Sequence, residues 1–242
     1  GIPFQVRVHA GFEPGTFVLD DADTDSGGTA TLLLGDFMAG KLRQVVVEGA
    51  PGQGKSTLAQ YLCQVHRLRW LGKRPELALL PPRHSQTALR FPIKVDLREL
   101  AAWISGTDPF DPTAQKLSPA EFRTLEGFLA RLVQQRSGGV EFSVNDLLDV
   151  SKTAPLLIVL DGLDEVADLK GRAEVVTAVS KAVPRLRENC PMMQVIVTSR
   201  PAAFANSPGF DPQHFPYIEL GSVKRAQIQL YAHKWMDARN LT

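Results

Sequence analysis

The sequence predicts an α/β fold on a mainly parallel sheet, and three segments carry that prediction. Val45-Val46-Val47-Glu48 is a short apolar run leading into Gly49-Ala50-Pro51-Gly52-Gln53-Gly54-Lys55-Ser56. Leu156 to Leu160 is wholly apolar and stops abruptly at an acidic cluster, Asp161, Asp164 and Glu165. Gln194-Val195-Ile196-Val197 ends in Thr198-Ser199-Arg200-Pro201. Runs that are apolar on consecutive residues suit strands covered on both faces, as in a parallel sheet with helices on either side. Ligands of such sheets bind beyond the carboxyl ends of the strands. All three runs end in polar chemistry, which places that chemistry at one edge of the sheet.

The other elements follow in chain order. Residues 1–40 mix short apolar pieces (Phe4 to Val8, Phe17 to Leu19) with a polar, acidic and glycine-rich stretch from Asp20 to Gly28, which reads as an irregular lead-in with an exposed loop. After the glycine-rich loop, Leu58, Leu62, Val65 and Trp70 recur at roughly helical spacing, so a helix can bury that stripe against the sheet. Phe91 to Leu97 alternates with period two, giving a strand whose Pro92 favours its start or a sheet edge, followed by a helix through Leu100. Ser105 to Leu117 is a loop by its Pro, Gly and polar content. Ser118-Pro119-Ala120-Glu121 has the form of a capping box, so a helix is expected from there to Arg136. A helix near Asn145 to Lys152 precedes the acidic strand. Arg172 to Glu188 reads as a helix kinked or broken at Pro184. Met193 to Thr198 and Tyr217 to Leu220 read as strands, and Ser222 caps a terminal amphipathic helix bearing Ile228, Tyr231 and Trp235.

The Gly49–Ser56 segment satisfies GxxxxGK[ST] between a strand and a helix, the context that pattern requires. Glycines 49, 52 and 54 permit positive φ and close backbone approach, so successive N–H groups can converge on phosphate oxygens at a helix N-terminus. Gly49, Ala50, Pro51, Gly52, Gln53, Gly54, Lys55, Ser56 and Thr57 are therefore the expected nucleotide-binding residues. Lys55 would reach the β and γ phosphates and Ser56 would ligate magnesium. Arg200, at the end of the third strand, would bring a rigid guanidinium fork to the same edge, where it can pair with phosphate oxygens.

Composition is ordinary for a soluble globular chain with a sizeable core: 242 residues, 44% hydrophobic and 22% charged. A net charge of +1 gives no general attraction to nucleic acid or an anionic membrane. Cys63 and Cys190 stand in no CxxC or histidine-paired spacing, so a reduced, cytoplasmic protein with packing thiols is the simpler expectation. The chain shows neither a signal peptide nor a long apolar span. It begins with Gly1, which suggests an excerpt of a longer multidomain protein.

In these motifs the sequence resembles the NACHT family, of the STAND class of signal-transducing P-loop NTPases. Gly49 to Thr57 is similar to its phosphate loop, and Leu156 to Val166 to its extended acidic motif with a small residue, Gly162, between the first Asp and the acidic pair. Thr198 to Pro201 resembles its sensor motif, Phe91 to Leu100 its second strand and helix, and Ile218 to Trp235 its domain end. The resemblance covers roughly residues 40–240, with residues 41–242 as the nucleotide-binding domain. It implies a three-layer α/β/α P-loop NTPase fold with a mainly parallel five-stranded sheet, the sensor strand lying between the phosphate-loop and acidic strands. It also implies ATP/ADP and Mg2+ as cofactors, slow hydrolysis, and a nucleotide-controlled change from closed monomer to oligomer that activates a fused effector in innate immunity or antiphage defence. On this basis Asp161 holds magnesium through its water shell, Asp164 or Glu165 polarises the attacking water, and Arg200 contacts the γ-phosphate. Expected partners are nucleotide, further copies of the domain, and fused effector and sensor domains outside the segment, with no direct contact to nucleic acid or membrane. The family's helical and winged-helix domains supply a proline and a histidine to the nucleotide; no histidine of this chain matches that one. A scaffold with bound nucleotide and little turnover, or a dedicated P-loop ATPase of another class, are the alternatives. The sequence lacks a transporter LSGGQ signature, a helicase acid-His ending, an NKxD guanine motif and a basic lid segment, which favours a regulatory ATPase.

Overall fold

The computed structural model describes residues 6–9, 28–35, 42–111, 113, 123–204 and 209–220. Among them run β1 (Val6–His9), α1 (Gly28–Leu34), β2 (Gln44–Glu48), α2 (Lys55–Trp70), α3 (Arg74–Ala78), α4 (Pro82–Ser85) and β3 (Phe91–Asp96). There follow α5 (Leu97–Ser105), α6 (Leu125–Arg136), α7 (Val144–Thr153), β4 (Leu156–Asp161), a 3-10 turn (Leu163–Glu165), α8 (Leu169–Asn189), β5 (Gln194–Ser199), a second 3-10 turn (Pro201–Phe204) and β6 (Tyr217–Leu220).

The strands form one six-stranded sheet in the order β1-β6-β2-β5-β4-β3. Every neighbouring pair from β6 to β3 is parallel, and β1 adds an antiparallel edge to β6. The expected parallel core is therefore present. β5 lies between β2 and β4, so the strand that leads to Arg200 touches both the phosphate-loop strand and the acidic strand.

The physical reason for this arrangement is that the central strands bury both faces. All six residues of β4 and of β5 are buried. Leu156, Ile158 and Leu160 of β4 join Val195 and Val197 of β5 and Val46 of β2 in a core covered by α5, α6, α7 and α8. Leu157, Val159, Ile196, Val45 and Val47 face the opposite way, into a core covered by α1 and α2. Two apolar layers on one sheet make the three-layer α/β/α architecture.

Several local expectations are corrected. The lead-in holds ordered structure: β1 pairs along β6, and α1 buries Ala30, Leu33 and Leu34 in the second core. The segment Gly28–Leu34 opens on glycine and carries two threonines, so packing rather than propensity makes it helical. Trp70 does not complete the buried stripe of α2; it is 45% exposed, its indole donates to the Arg90 carbonyl at 2.9 Å and its ring meets Phe91 edge-on. The helix expected from Ser118 begins at Leu125, after non-helical Arg123 and Thr124, with the Thr124 hydroxyl accepting from the Gly127 amide; Ser118 to Glu121 lie outside the described residues. Pro184 lies inside α8 without ending it, because the helix is packed through Val175, Val179, Val183 and Leu186 on both sides of the proline. The short helices α3 and α4 were not legible as periodic segments. The terminal helix from Ser222 lies outside the described residues. Among the described residues no helix is long and apolar enough to cross a membrane.

Candidate functional site

β2 delivers the glycine-rich loop to the carboxyl edge of the sheet, where the Gly49 amide donates to the Ser199 carbonyl at 3.2 Å. Gly52 and Gly54 adopt φ of 77° and 82°, a left-handed geometry that glycine reaches without cost. Gly49 does not share it. Its requirement is space: a Cβ there would stand 2.9 Å from Gln53 Oε1 and 3.3 Å from Leu220 Cβ. Gln53 Oε1 in turn accepts from the Ala50 amide and closes the loop tip.

Gly54 is the N-cap of α2 and no side chain caps that end, so the first amides of a four-turn helix are left for an outside acceptor, at the positive end of its dipole. Lys55 donates to the carbonyls of Gly49 at 2.7 Å and Ala50 at 3.3 Å, bending its ammonium back over the loop. Burial lowers the Lys55 pKa, and among neighbouring charges Asp164 acts on it most strongly, in the opposite sense. Ser56, Thr57, Pro51 and Gly52 are exposed.

β4 ends at Asp161, 11% exposed in its side chain and closely bonded. Asp161 Oδ1 accepts from Thr198 Oγ1 at 2.5 Å and from Ser56 Oγ at 3.3 Å. Asp161 Oδ2 pairs with Lys94 Nζ at 2.8 Å. The same Thr198 hydroxyl oxygen accepts from the Gly162 amide at 2.9 Å, and Gly162 turns the chain at φ 83° into the 3-10 turn. A Cβ at Gly162 would approach Glu165 Cδ to 3.2 Å, so the small residue between the acids is required both by its dihedral and by the packing of Glu165.

That turn separates the acidic pair. Asp164, with 10% side-chain exposure, pairs with Arg200 Nε at 2.7 Å. Glu165, nearly half exposed, is turned to Arg98 Nε at 3.4 Å. Arg98 is anchored on Asp96, which it meets at 2.6 Å and 3.1 Å; the hydrogen-bonded guanidinium lowers the Asp96 pKa. Glu165 also lines a cavity of about 490 Å³ with Arg98, Ala101, Gly171 and Glu174, between α5 and the start of α8. Arg172 holds the turn from behind, donating to the carbonyls of Val166 and Asp164.

Lys55, Ser56, Asp161, Asp164 and Arg200 thus converge, while Glu165 looks aside. Sequence reasoning assigned no role to Lys94, Thr198 or Arg98. Thr198 stands inside the third strand's motif, but only the β4–β5 pairing shows that its hydroxyl serves Asp161. Lys94 occupies a polar position of an alternating strand, which marks a face and not a partner. Cys63 and Cys190 are free thiols; burial pushes Cys63 up to about 11, which suits a packing residue.

A family model described as nephrocystin 3, N-terminal, matches residues 38–200, well over half of the chain. The chain belongs to the nephrocystin-3 N-terminal family. The span shared with that family opens before the glycine-rich loop and closes on Arg200, so every residue of the converging group falls within it. No curated protein matches the chain. Among solved structures, one titled "The Structure Of A DnaB-Like Replicative Helicase And Its Interactions With Primase" is similar over 66% of this chain and 39% of that one, at 14% identity and a TM-score of 0.26. This family member therefore spans 39% of the length of that helicase chain, and a likeness so distant bears on no residue's role.

Proposed function

We propose that this chain is an ATP-binding, slowly hydrolysing NACHT module that works as a nucleotide-controlled switch. The observation that carries the reading is the approach of Ser56 Oγ to Asp161 Oδ1, 105 residues apart in sequence, beside an uncapped helix N-terminus. Loop amides and Lys55 suit phosphate oxygens, whose negative charge the helix dipole favours. The oxygens of Ser56 and Asp161 are hard donors at one locus, the set magnesium takes alongside water and phosphate ligands. Bound there, magnesium would supply charge neutralisation to the β and γ phosphates.

Among the acids, Asp164 fits the role of orienting and deprotonating the attacking water better than Glu165. It has the strongest influence of any neighbouring charge on Lys55, whereas Glu165 is held toward α5 by Arg98. Arg200 and Asp164 are bonded to each other, so a γ-phosphate that draws the guanidinium away would release the carboxylate for water at the same moment. Loss of that phosphate would restore the pair. A change at Arg200 acts on β5, which contacts both motif strands, and this supports a switch rather than a site built only for turnover. Self-association, a fused effector and a role in innate immune or antiphage signalling belong to the same reading through the resemblance to NACHT domains.

Nucleotide content and steady-state hydrolysis of the purified protein test it together. The expected result is stoichiometric retained nucleotide with turnover far slower than that of a dedicated ATPase, and loss of nucleotide in Lys55→Ala. Unchanged retention in Lys55→Ala would sink the site. Fast multiple turnover would favour the dedicated enzyme.

A further inference from the structure

We propose that Lys94 makes divalent-metal binding at this site conditional on nucleotide, by holding Asp161 as a built-in counter-ion that the metal–phosphate complex must share. The inference rests on the nucleotide-binding reading above and goes beyond it.

Lys94 owes its position to strand register. On β3, Ile93 and Val95 point into the core under α5 to α8, which leaves Lys94 on the opposite face. There it sits across from Val159 of β4, a residue of the core that α2 covers. Its ammonium reaches along the sheet to Asp161 Oδ2 at 2.8 Å, with 34% of its side chain exposed against 11% for the aspartate. The other oxygen, Oδ1, accepts from Thr198 and Ser56. Both oxygens of the carboxylate are therefore engaged, one by neutral hydroxyls and one by a full positive charge.

The acidic cluster consequently carries little net negative charge. Lys94 pairs with Asp161 and Arg200 with Asp164, while Arg98 is shared between Asp96 and Glu165. Lys55 adds one more positive charge close by. A divalent cation alone gains little from such a locus, since each attraction to a carboxylate is opposed by the cation already paired with it. A nucleotide changes the balance, because its phosphates bring several negative charges and most of the oxygens that magnesium requires. Lys94 is then a positioning residue. It keeps the buried Asp161 oriented without metal, and it sets the order in which ligands arrive.

Manganese serves as the probe, with electron paramagnetic resonance reading free ion in the absence of nucleotide. A second arm counts manganese and ATP retained per protein after desalting. The wild-type protein is expected to take up no manganese alone at concentrations where, with ATP, it retains one ion per nucleotide. Lys94→Gln keeps a neutral donor for Oδ2 and removes only the charge. Its manganese affinity without nucleotide should rise about tenfold, the effect of one unit charge near a divalent ion under water-like screening, while ATP binding in chelator stays within about twofold. Lys94→Arg should restore wild-type behaviour. Tight manganese binding by the wild-type protein alone would overturn the proposal without needing any variant, as would an unchanged affinity in folded Lys94→Gln. If the wild-type protein retains neither ATP nor manganese, the nucleotide-binding reading itself fails and this one with it.

Discussion

Asp164 and Glu165 are neighbours in sequence and differ in everything that decides chemistry. Asp164 is nearly buried and bonded to Arg200, while Glu165 is half exposed and bonded to Arg98. A base must lie within reach of the water it activates, and proton transfer of this kind contributes typically 10²–10⁴-fold to a rate. Single-turnover hydrolysis should therefore fall by about a hundredfold or more in Asp164→Asn with ATP still bound, and stay within a few-fold of wild type in Glu165→Gln. The reverse ranking would move the base to Glu165. Adjacent acids could not be told apart in the sequence because the turn at Gly162, and the arginines that meet each side chain, are set by residues far along the chain.

At the scale of elements, capping and burial decide different things. α7 starts at a complete capping box: the Ser143 hydroxyl accepts from the Asp146 amide, and the Asp146 carboxylate accepts from the Ser143 amide. This helix precedes the acidic strand and buries only Leu147 and Ser151, so its end chemistry matters more than usual. Ser143→Ala should cost about 1 kcal/mol in denaturant unfolding, and a loss under about 0.3 kcal/mol would mean that packing alone sets the helix start. Caps were a less dependable guide at α6, where the described helix begins at Leu125, behind its Thr124 cap, and not at Ser118. A capping pattern offers hydrogen bonds to any helix that begins there, whereas Leu125, Phe128 and Leu129 are wholly buried and fix where this one lies.

Across the whole molecule, the two cores hold the sheet and one buried histidine makes its stability depend on pH. His66 of α2 is fully buried; its Nδ1 accepts from the Arg90 amide and its Nε2 has no hydrogen-bond partner among the described residues. Burial, reinforced by Arg90 and Arg69, pulls its pKa from 6.5 to about 4. The folded state therefore binds the proton less readily than the unfolded chain. Stability from this neutral histidine is fully present above about pH 6.5 and is lost as the pH falls toward 4, by about 3 kcal/mol in total. Denaturant midpoints measured between pH 7.5 and 4.5 should decline in the wild-type protein. The slope should be shallower in His66→Asn, whose amide oxygen can still accept from Arg90, and equal slopes would remove His66 as the cause.

The sequence by itself determined the glycine-rich loop, the buried strands and the acids that end one of them, because each is written in consecutive residues: glycine spacing, unbroken apolar runs, and an abrupt change to charge. It also placed Arg200 at the edge where Asp161 stands. Only the tertiary structure decided who bonds to whom. Lys94, Thr198 and Ser56 meet on Asp161 through the pairing of β3 with β4 and β4 with β5 and through the seat of α2 under the sheet. The ordered strand and helix of the lead-in exist for the same reason, since β1 needs the edge of β6 and α1 needs an apolar surface already built. Local pattern specifies which face a side chain takes, and long-range register specifies the partner it finds there.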